Sequence, residues 1–384
     1  MIPVAKPYLG EEEAAAAREA ILSGWVTQGP QVAAFEREFA RTVGAAHACA
    51  VSNCTTALHL ALHTLGVGPG DQVITVSHSF IATANAVRYC GATPVFVDID
   101  PQTYNLDPDL LEQAITPRTK VILPVHQIGL PCDMQSIMRV AKRHGLPVVE
   151  DAACAIGSEL LWDGRWELIG RPHGAIACFS FHPRKILTTG DGGMLTTNDF
   201  SIDRKFRLLR QHAMSVADTV RHSARSVIFE EYPEIGFNYR MTDIQAAVGR
   251  AQLRRLPEIL ARRRDLANRY TQELRRISGL RAPTVPAYAH PNYQSYAVHV
   301  EADFPLSRDE LMQSFLDRDI STRRGIMNSH QEAAYADQGP YYLPASEAAR
   351  DDVILLPLYH TMTAGEQEMI IDHLKSVANA RKAG

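Results

Sequence analysis

The stretch Asp71–Ile99, DQVITVSHSFIATANAVRYCGATPVFVDI, decides the fold. DQVITVS is an unbroken apolar run, FIATANAVRYCGA has helical spacing, and TPVFVDI is apolar again. Strands that do not alternate are expected where both faces of a sheet are covered, and a strand–helix–strand order reads as a parallel crossover unit. The same texture extends outward. HACAVS leads into TTALHLALHTLGV upstream, KVILPVH leads into DMQSIMRVAKRHG downstream, and LPVVEDA and IACFSF follow. The chain between about residues 45 and 200 therefore predicts a mostly parallel α/β sheet.

Near Met241 the pattern changes. MTDIQAAVGRAQLRRLPEILARRRDLANRYTQELRRI holds apolar residues at helical spacing for longer than one ordinary helix, with Thr242 or Asp243 as its start signal. Pro257 inside it predicts a kink or a division. Beyond it, YQSYAVHVE, SRDELMQSFLDRD, VILLPLY and GEQEMIIDHLKSVANA suggest a small α+β domain. A chain of 384 residues is too long for one ordinary core, so two domains are expected.

A formal net charge of -4 gives no reason to expect a nucleic-acid partner. No apolar run approaches the roughly 20 residues that span a bilayer, and the start lacks a signal-peptide block, so no membrane is expected. Six cysteines without a C-x-x-C pair argue against a disulfide framework or a metal site and suit a reducing cytoplasm.

In an open α/β sheet, ligands bind beyond the carboxyl ends of the strands. After HACAVS comes NCTTAL, a turn opening a helix. The amides around Cys54, Thr55 and Thr56, with a threonine hydroxyl, suit an anion; the plainer reading is that Asn53 or Thr55 caps the helix. After DQVITVS comes Phe80, either a stacking ring or a core residue. After LPVVE comes Asp151, which needs a cation or several donors if buried. It reads as a cap for AACAIG or as a carboxylate facing a protonated ring nitrogen. After IACFS come Ser180 and Lys185. A lysine in a low-dielectric pocket has a depressed pKa and forms Schiff bases, whereas pairing with Asp191 is the alternative. The GDGG run marks only a tight turn.

A phosphate site, a stacking ring, a buried carboxylate and an amine at the strand ends of one sheet are the contacts that pyridoxal 5′-phosphate (PLP) requires. A nicotinamide site is not supported, because no G-x-G-x-x-G follows the first strand.

On these residues the sequence resembles the DegT/DnrJ/EryC1/StrS sugar aminotransferases, fold type I PLP enzymes. The resemblance spans essentially the whole chain, through SGWVTQGPQVAAFEREFA, SNCTTALHLAL, SHSFIATANAVRYCGATPVFVDI, VEDAACAIGS, FSFHPRKILTTGDGGM, GFNYRMTDIQAAVG and PLYHTMTAGEQEMI. It implies a large α/β domain over residues 1–250 with a mostly parallel seven-stranded sheet flanked by helices. Residues 1–35 would contribute to the active-site entrance, and residues 251–384 would form a smaller C-terminal α+β domain.

Carried over residue by residue, the resemblance implies that Lys185 holds the cofactor as a Schiff base and later shuttles the proton. Asp151 would pair with the pyridinium nitrogen and Phe80 would stack on the ring. Thr55 and Ser180, with the Cys54 amide, would hold the phosphate. Cys154 stands where His or Gln often meets the ring hydroxyl. Asn238 would reach the phosphate from the neighbouring subunit, so a homodimer with shared sites is expected. Trp25, Thr27, His182, Arg323 and His330 are substrate-pocket candidates; Arg323, Arg324 and His330 read equally well as surface residues. Specificity would lie in loops near residues 23–30, 211–232 and 322–335.

The activity implied is ping-pong transamination in the cytoplasm, with glutamate as donor and a nucleotide-linked keto-sugar as acceptor. The acceptor could be UDP-4-keto-arabinose or a GDP- or dTDP-linked 4-keto-6-deoxyhexose, for lipopolysaccharide, other cell-surface polysaccharide or amino-sugar biosynthesis. One competing reading is a PLP-dependent sugar dehydratase, against which Lys185 argues because those relatives carry His there. Another is a PLP-binding protein without turnover, which the intact Lys185, Asp151 and Ser180 disfavour.

Overall fold

The computed structural model describes residues 1–216 and 227–380. Its strands in the first two hundred residues are β1 (His47–Val51), β2 (Gln72–Val76), β3 (Thr93–Val97), β4 (Thr119–Leu123), β5 (Val149–Asp151), β6 (Glu159–Trp162), β7 (Arg165–Leu168), β8 (Ile176–Ser180) and β9 (Gly193–Thr197). Strands β1-β9-β8-β5 form one hydrogen-bonded set and β3-β2-β4 another. Parallel bridges Ile122–Val148 and Val125–Asp151 join β4 to β5. The result is the expected seven-stranded sheet, in the order β1-β9-β8-β5-β4-β2-β3. Every neighbouring pair is parallel except the two that involve β9.

The reversed direction of β9 matters for the site. Its first residue, Gly193, lies opposite Val51 and Ser180, the last residues of β1 and β8. Loops from β1, β2, β5 and β8 and the start of β9 therefore meet at one edge of the sheet. Helices α1 (Glu11–Leu22), α2 (Pro30–Val43), α3 (Cys54–Thr64), α4 (Ala82–Tyr89), α5 (Leu111–Ala114), α6 (Met134–His144) and α7 (Phe200–Leu209) accompany these strands. Fully buried Val, Ile and Leu on the strands pack against α2, α3, α6 and α7 on the two sides, as the unbroken apolar runs require.

The stretch after Met241 forms one helix of 32 residues, α8 (Asp243–Leu274). Of the two start signals, Thr242 is the cap, in a capping box with Gln245. Pro257 does not divide the helix. An interior proline costs about 3 kcal/mol, and burial on both sides offsets it: Leu253, Leu256, Ile259 and Leu260 enter the first core, and Leu266, Ala267, Tyr270 and Leu274 enter a second.

The second core lies on an antiparallel sheet built from β10 (Leu280–Arg281), β12 (Tyr296–Val300), β13 (Arg323–Arg324) and β14 (Val353–Leu356), in the order β10-β12-β14-β13. Strand β11 (Ala289–His290) pairs with β6 instead. Helices α9 (Arg308–Leu316), α10 (Pro344–Asp352) and α11 (Ala364–Ala380) complete the C-terminal part. The second core draws on both ends of the chain. Ile2 is buried in it, and the Ile2 amide donates to the Asp319 carbonyl at 2.7 Å. Among the described residues, no helix is long and apolar enough to cross a membrane.

Candidate active site

The turn after β1 is built by its own side chains. Asn53 caps α3, accepting from the Thr56 amide at 2.9 Å, while the Thr56 hydroxyl accepts from the Asn53 amide at 3.3 Å. Asn53, not Thr55, is thus the cap, and the half-buried Thr55 hydroxyl is left for another task. The first-turn amides of a helix have no partner within the helix and suit an anion. Gly193 makes room for this turn. A Cβ there would lie 2.4 Å from the Asn53 carbonyl oxygen and 2.9 Å from the Cys54 nitrogen. Ser180, buried at the end of β8 opposite Gly193, adds a hydroxyl, which accepts from the His182 amide at 3.4 Å.

No helix follows Asp151; residues 152–157 form turns, so the cap reading fails. Asp151 is buried. Its Oδ1 accepts from the Ala153 amide at 3.1 Å and its Oδ2 from the Thr83 hydroxyl at 2.8 Å. Burial raises its pKa against the opposing pull of Thr83, Ala153 and Lys185. Its neighbour Glu150 turns to the opposite face, as strand alternation requires. There it accepts from His126 Nε2 at 3.1 Å and from the amides of His173 and Gly174. Phe80 is 63% exposed, which removes the core reading and leaves a ring with an open face.

Lys185 follows β8 on a turn closed by its amide and the His182 carbonyl, 2.8 Å apart. Its Nζ donates to Cys154 Sγ at 2.9 Å. The alternative partner, Asp191, spends its carboxylate on its own turn, accepting from the Gly192 amide. The depressed lysine pKa expected from sequence is not found. Burial pushes the ammonium down, but Cys154 in direct contact, with Cys54 and Asp151 beyond it, outweighs this and holds the value above the ordinary lysine range. His182, half-buried, accepts from the Arg184 amide at 3.2 Å. Burial and the adjacent cations Arg184 and Lys185 lower its pKa, favouring a neutral imidazole.

The remaining candidates fall into separate groups. Asn238 is exposed and bridges Gln211 through the backbone. Trp25 and Thr27 lie on the loop before α2, and Gln28 of that loop reaches Gln211 at 3.4 Å, so they lie with the Asn238 segment. Trp25 folds its indole onto the Gln28 carbonyl at 3.0 Å, over Gly29. Residues 217–226 of the expected 211–232 specificity loop lie outside the described residues. Arg323 and Arg324 are exposed on the edge strand β13. His330 is half-buried and held by two side chains. Its ring is bonded to Ser77 Oγ at 2.6 Å and Glu347 Oε1 at 3.2 Å, which uses both nitrogens.

Three contributors were not singled out from sequence. Thr83 and Ser79 stand behind Asp151. Asp243, at the start of α8, holds the loop carrying Trp25 and Thr27: its carboxylate accepts from the amides of Gly29, Gln31 and Val32 at 2.8–2.9 Å. An acidic residue opening a helix was visible, but its partners some two hundred residues earlier were not.

Donor amides and hydroxyls, an open aromatic face, a buried carboxylate and an amine at one sheet edge fit PLP. Comparison with known proteins agrees. The DegT/DnrJ/EryC1/StrS aminotransferase family matches residues 7–375. The spore coat polysaccharide biosynthesis protein SpsC of Bacillus subtilis is 40% identical over 381 residues, 98% of this chain and 97% of that protein. The GDP-perosamine synthase of Caulobacter vibrioides is 41% identical over 378 residues, 98% of each. The Streptococcus pneumoniae protein Spr1654 superposes in its PMP-form with a TM-score of 0.92 at 28% identity, over 99% of this chain and 100% of that one. Its PLP-form gives 0.90 at 28% identity, over 99% of each.

Proposed function

The chain belongs to the DegT/DnrJ/EryC1/StrS aminotransferase family and is a PLP-dependent aminotransferase, and from that premise we propose that it transfers an amino group from glutamate to a nucleotide-linked keto-sugar. Bound PLP supplies an aldehyde that condenses with amines and a ring that withdraws electrons. The chain supplies the rest. Lys185 is the amine that takes the cofactor covalently and, when released, moves the proton at the reacting carbon. In the cofactor-free chain Lys185 Nζ donates to Cys154 Sγ; to move the proton the released amine must take it up while neutral and return it as an ammonium. Asp151 faces the ring nitrogen, Phe80 covers the ring, and Thr55, Ser180 and the Cys54 amide take the phosphate. The observation that carries this reading is the meeting of Lys185, Asp151, Phe80 and the Asn53–Thr55 turn at one sheet edge.

The relatives named for spore coat polysaccharide and for GDP-perosamine support a product destined for a cell-surface polysaccharide, and the second favours a GDP-linked acceptor. A homodimer with shared sites is supported by the surface beside Asn238. Val227, Phe229 and Ile235 are each more than four-fifths exposed there, an apolar patch that a second copy would cover. Six free cysteines suit a reducing cytoplasm.

The test starts from protein loaded with pyridoxamine phosphate. GDP-, dTDP- and UDP-linked keto-sugars are added in turn, and return of the long-wavelength cofactor absorbance is scored. A GDP-linked 4-keto sugar should restore it, and glutamate should discharge it again. Borohydride should fix the cofactor to Lys185. Protein that stays colourless with PLP, or is labelled at another residue, would end this reading.

A further inference from the structure

Asp151 is held from behind by two hydroxyls to which the sequence assigns no role, those of Thr83 and Ser79. Thr83 Oγ1 lies 2.8 Å from Asp151 Oδ2, and Ser79 Oγ lies 2.8 Å from Thr83 Oγ1. All three residues are at least nine-tenths buried, at 2%, 2% and 4% exposure. Proton bookkeeping gives the chain a direction. An ionised carboxylate only accepts, so Thr83 must donate its single proton to Asp151, and Ser79 must then donate to Thr83. Each hydroxyl is polarised by the one behind it, which strengthens the last bond.

The segment carrying these hydroxyls is pinned. His78 Nδ1 meets Asn328 Oδ1 at 2.8 Å, Gln127 Nε2 donates to the His78 carbonyl, and Ser77 Oγ meets His330 at 2.6 Å. The same segment carries Phe80, and the Thr83 amide donates to the Phe80 carbonyl at 3.1 Å. One short turn thus sets both the ring platform and the second donor to Asp151.

We propose that Thr83, with Ser79 behind it, is a positioning residue that aims the Asp151 carboxylate at the cofactor ring nitrogen and keeps it an acceptor. This rests on the reading of Asp151 given above. Thr83 donates to Asp151 and Ser79 donates to Thr83, so on this reading both would act through Asp151.

The test uses full-length protein and pyridoxamine 5′-phosphate, which cannot condense with Lys185, so its dissociation constant by calorimetry reports ring and phosphate contacts alone. Thr83→Val keeps the shape and removes the hydroxyl; Thr83→Ser keeps the hydroxyl. T83V should weaken binding roughly tenfold, the loss expected for one hydrogen bond to a charged group. It should also shift the ring absorbance toward that of the unprotonated ring. T83S should stay within about twofold of wild type, and Ser79→Ala should weaken binding about threefold. Asp151→Asn separates the premise from the inference. If D151N weakens binding while T83V does not, the relay is wrong. Equal loss in T83V and T83S would also overturn it, since packing and not the hydroxyl would be responsible. If D151N itself binds like wild type, the reading of Asp151 falls first.

Discussion

Lys185 Nζ and Cys154 Sγ are 2.9 Å apart, and among the described residues no carboxylate forms an ion pair with this ammonium. Burial favours the neutral amine, and the sulfur contact reverses the balance. Cys154→Ala should therefore lower the Lys185 pKa. In cofactor-free protein, mass-spectrometric reading of an amine-reactive label at Lys185 should show its midpoint moving to lower pH. The stability effect has a definite sign. A folded-state pKa above the unfolded one contributes stability that is present below the ordinary lysine value and is lost as pH rises through the folded-state value. The gap in denaturation midpoint between wild type and C154A should thus close in alkaline solution. A midpoint of labelling that does not move would remove Cys154 from the account.

Gly193 and Asn53 test the anion turn. A Cβ on Gly193 would sit 2.4 Å from the Asn53 carbonyl oxygen, a backbone atom that cannot swing away. Gly193→Ala must therefore shift β9 or the Asn53–Thr55 turn. Overpacking of this kind costs about 1–3 kcal/mol, which should appear as a lower urea midpoint. Pyridoxamine phosphate should bind at least tenfold more weakly, because the displaced amides are those assigned to the phosphate. Unchanged cofactor affinity in a destabilised G193A would move the phosphate site elsewhere.

The contrast between these pairs shows what the sequence could reveal. The sheet was legible because β1, β2, β4 and β8 are unbroken apolar runs, and burial on both faces leaves that imprint. Asp151 and Ser180 were legible because each ends such a run, and the Asn53 turn and Lys185 because they lie within five residues beyond one. Environment was not. Whether Lys185 is pushed up or down depends on a sulfur 31 positions earlier, and Thr83 meets Asp151 across 68 positions. Thr83 lies within a helical pattern, where a hydroxyl carries no signal of its own. The partners of His330, Ser77 and Glu347, were hidden for the same reason: they are brought to it by the fold.

Asp243 should matter for stability more than for chemistry. It is 1% exposed and accepts three backbone amides from the start of α2. Asp243→Asn removes the charge and turns an amino group toward donors, losing at least one charge-assisted bond. The cost should be about 2 kcal/mol in denaturant unfolding. The same substitution loosens the loop carrying Trp25 and Thr27, so the acceptor-sugar KM should rise while binding of pyridoxamine phosphate stays near wild type. A stability equal to wild type would mean that the three amides find water instead.

Sharing of sites between subunits can be read from mixtures of two defective variants. Lys185→Ala should be inactive, down by at least roughly 10²–10⁴-fold for loss of the acid–base amine. Asn238→Ala should lose roughly tenfold in cofactor affinity if its amide side chain reaches the phosphate. If Asn238 serves the neighbouring site, a heterodimer of the two variants has one site with both defects and one with neither. Random reassortment of equal amounts should then restore about a quarter of wild-type activity per subunit, with symmetric dimers supplying the rest of the population. If Asn238 served its own Lys185, every site in the mixture would carry one defect, and activity measured at limiting PLP would stay at the average of the separate variants. The mixing result therefore distinguishes a site assembled from two chains from one complete in a single chain, without reference to which sugar is used.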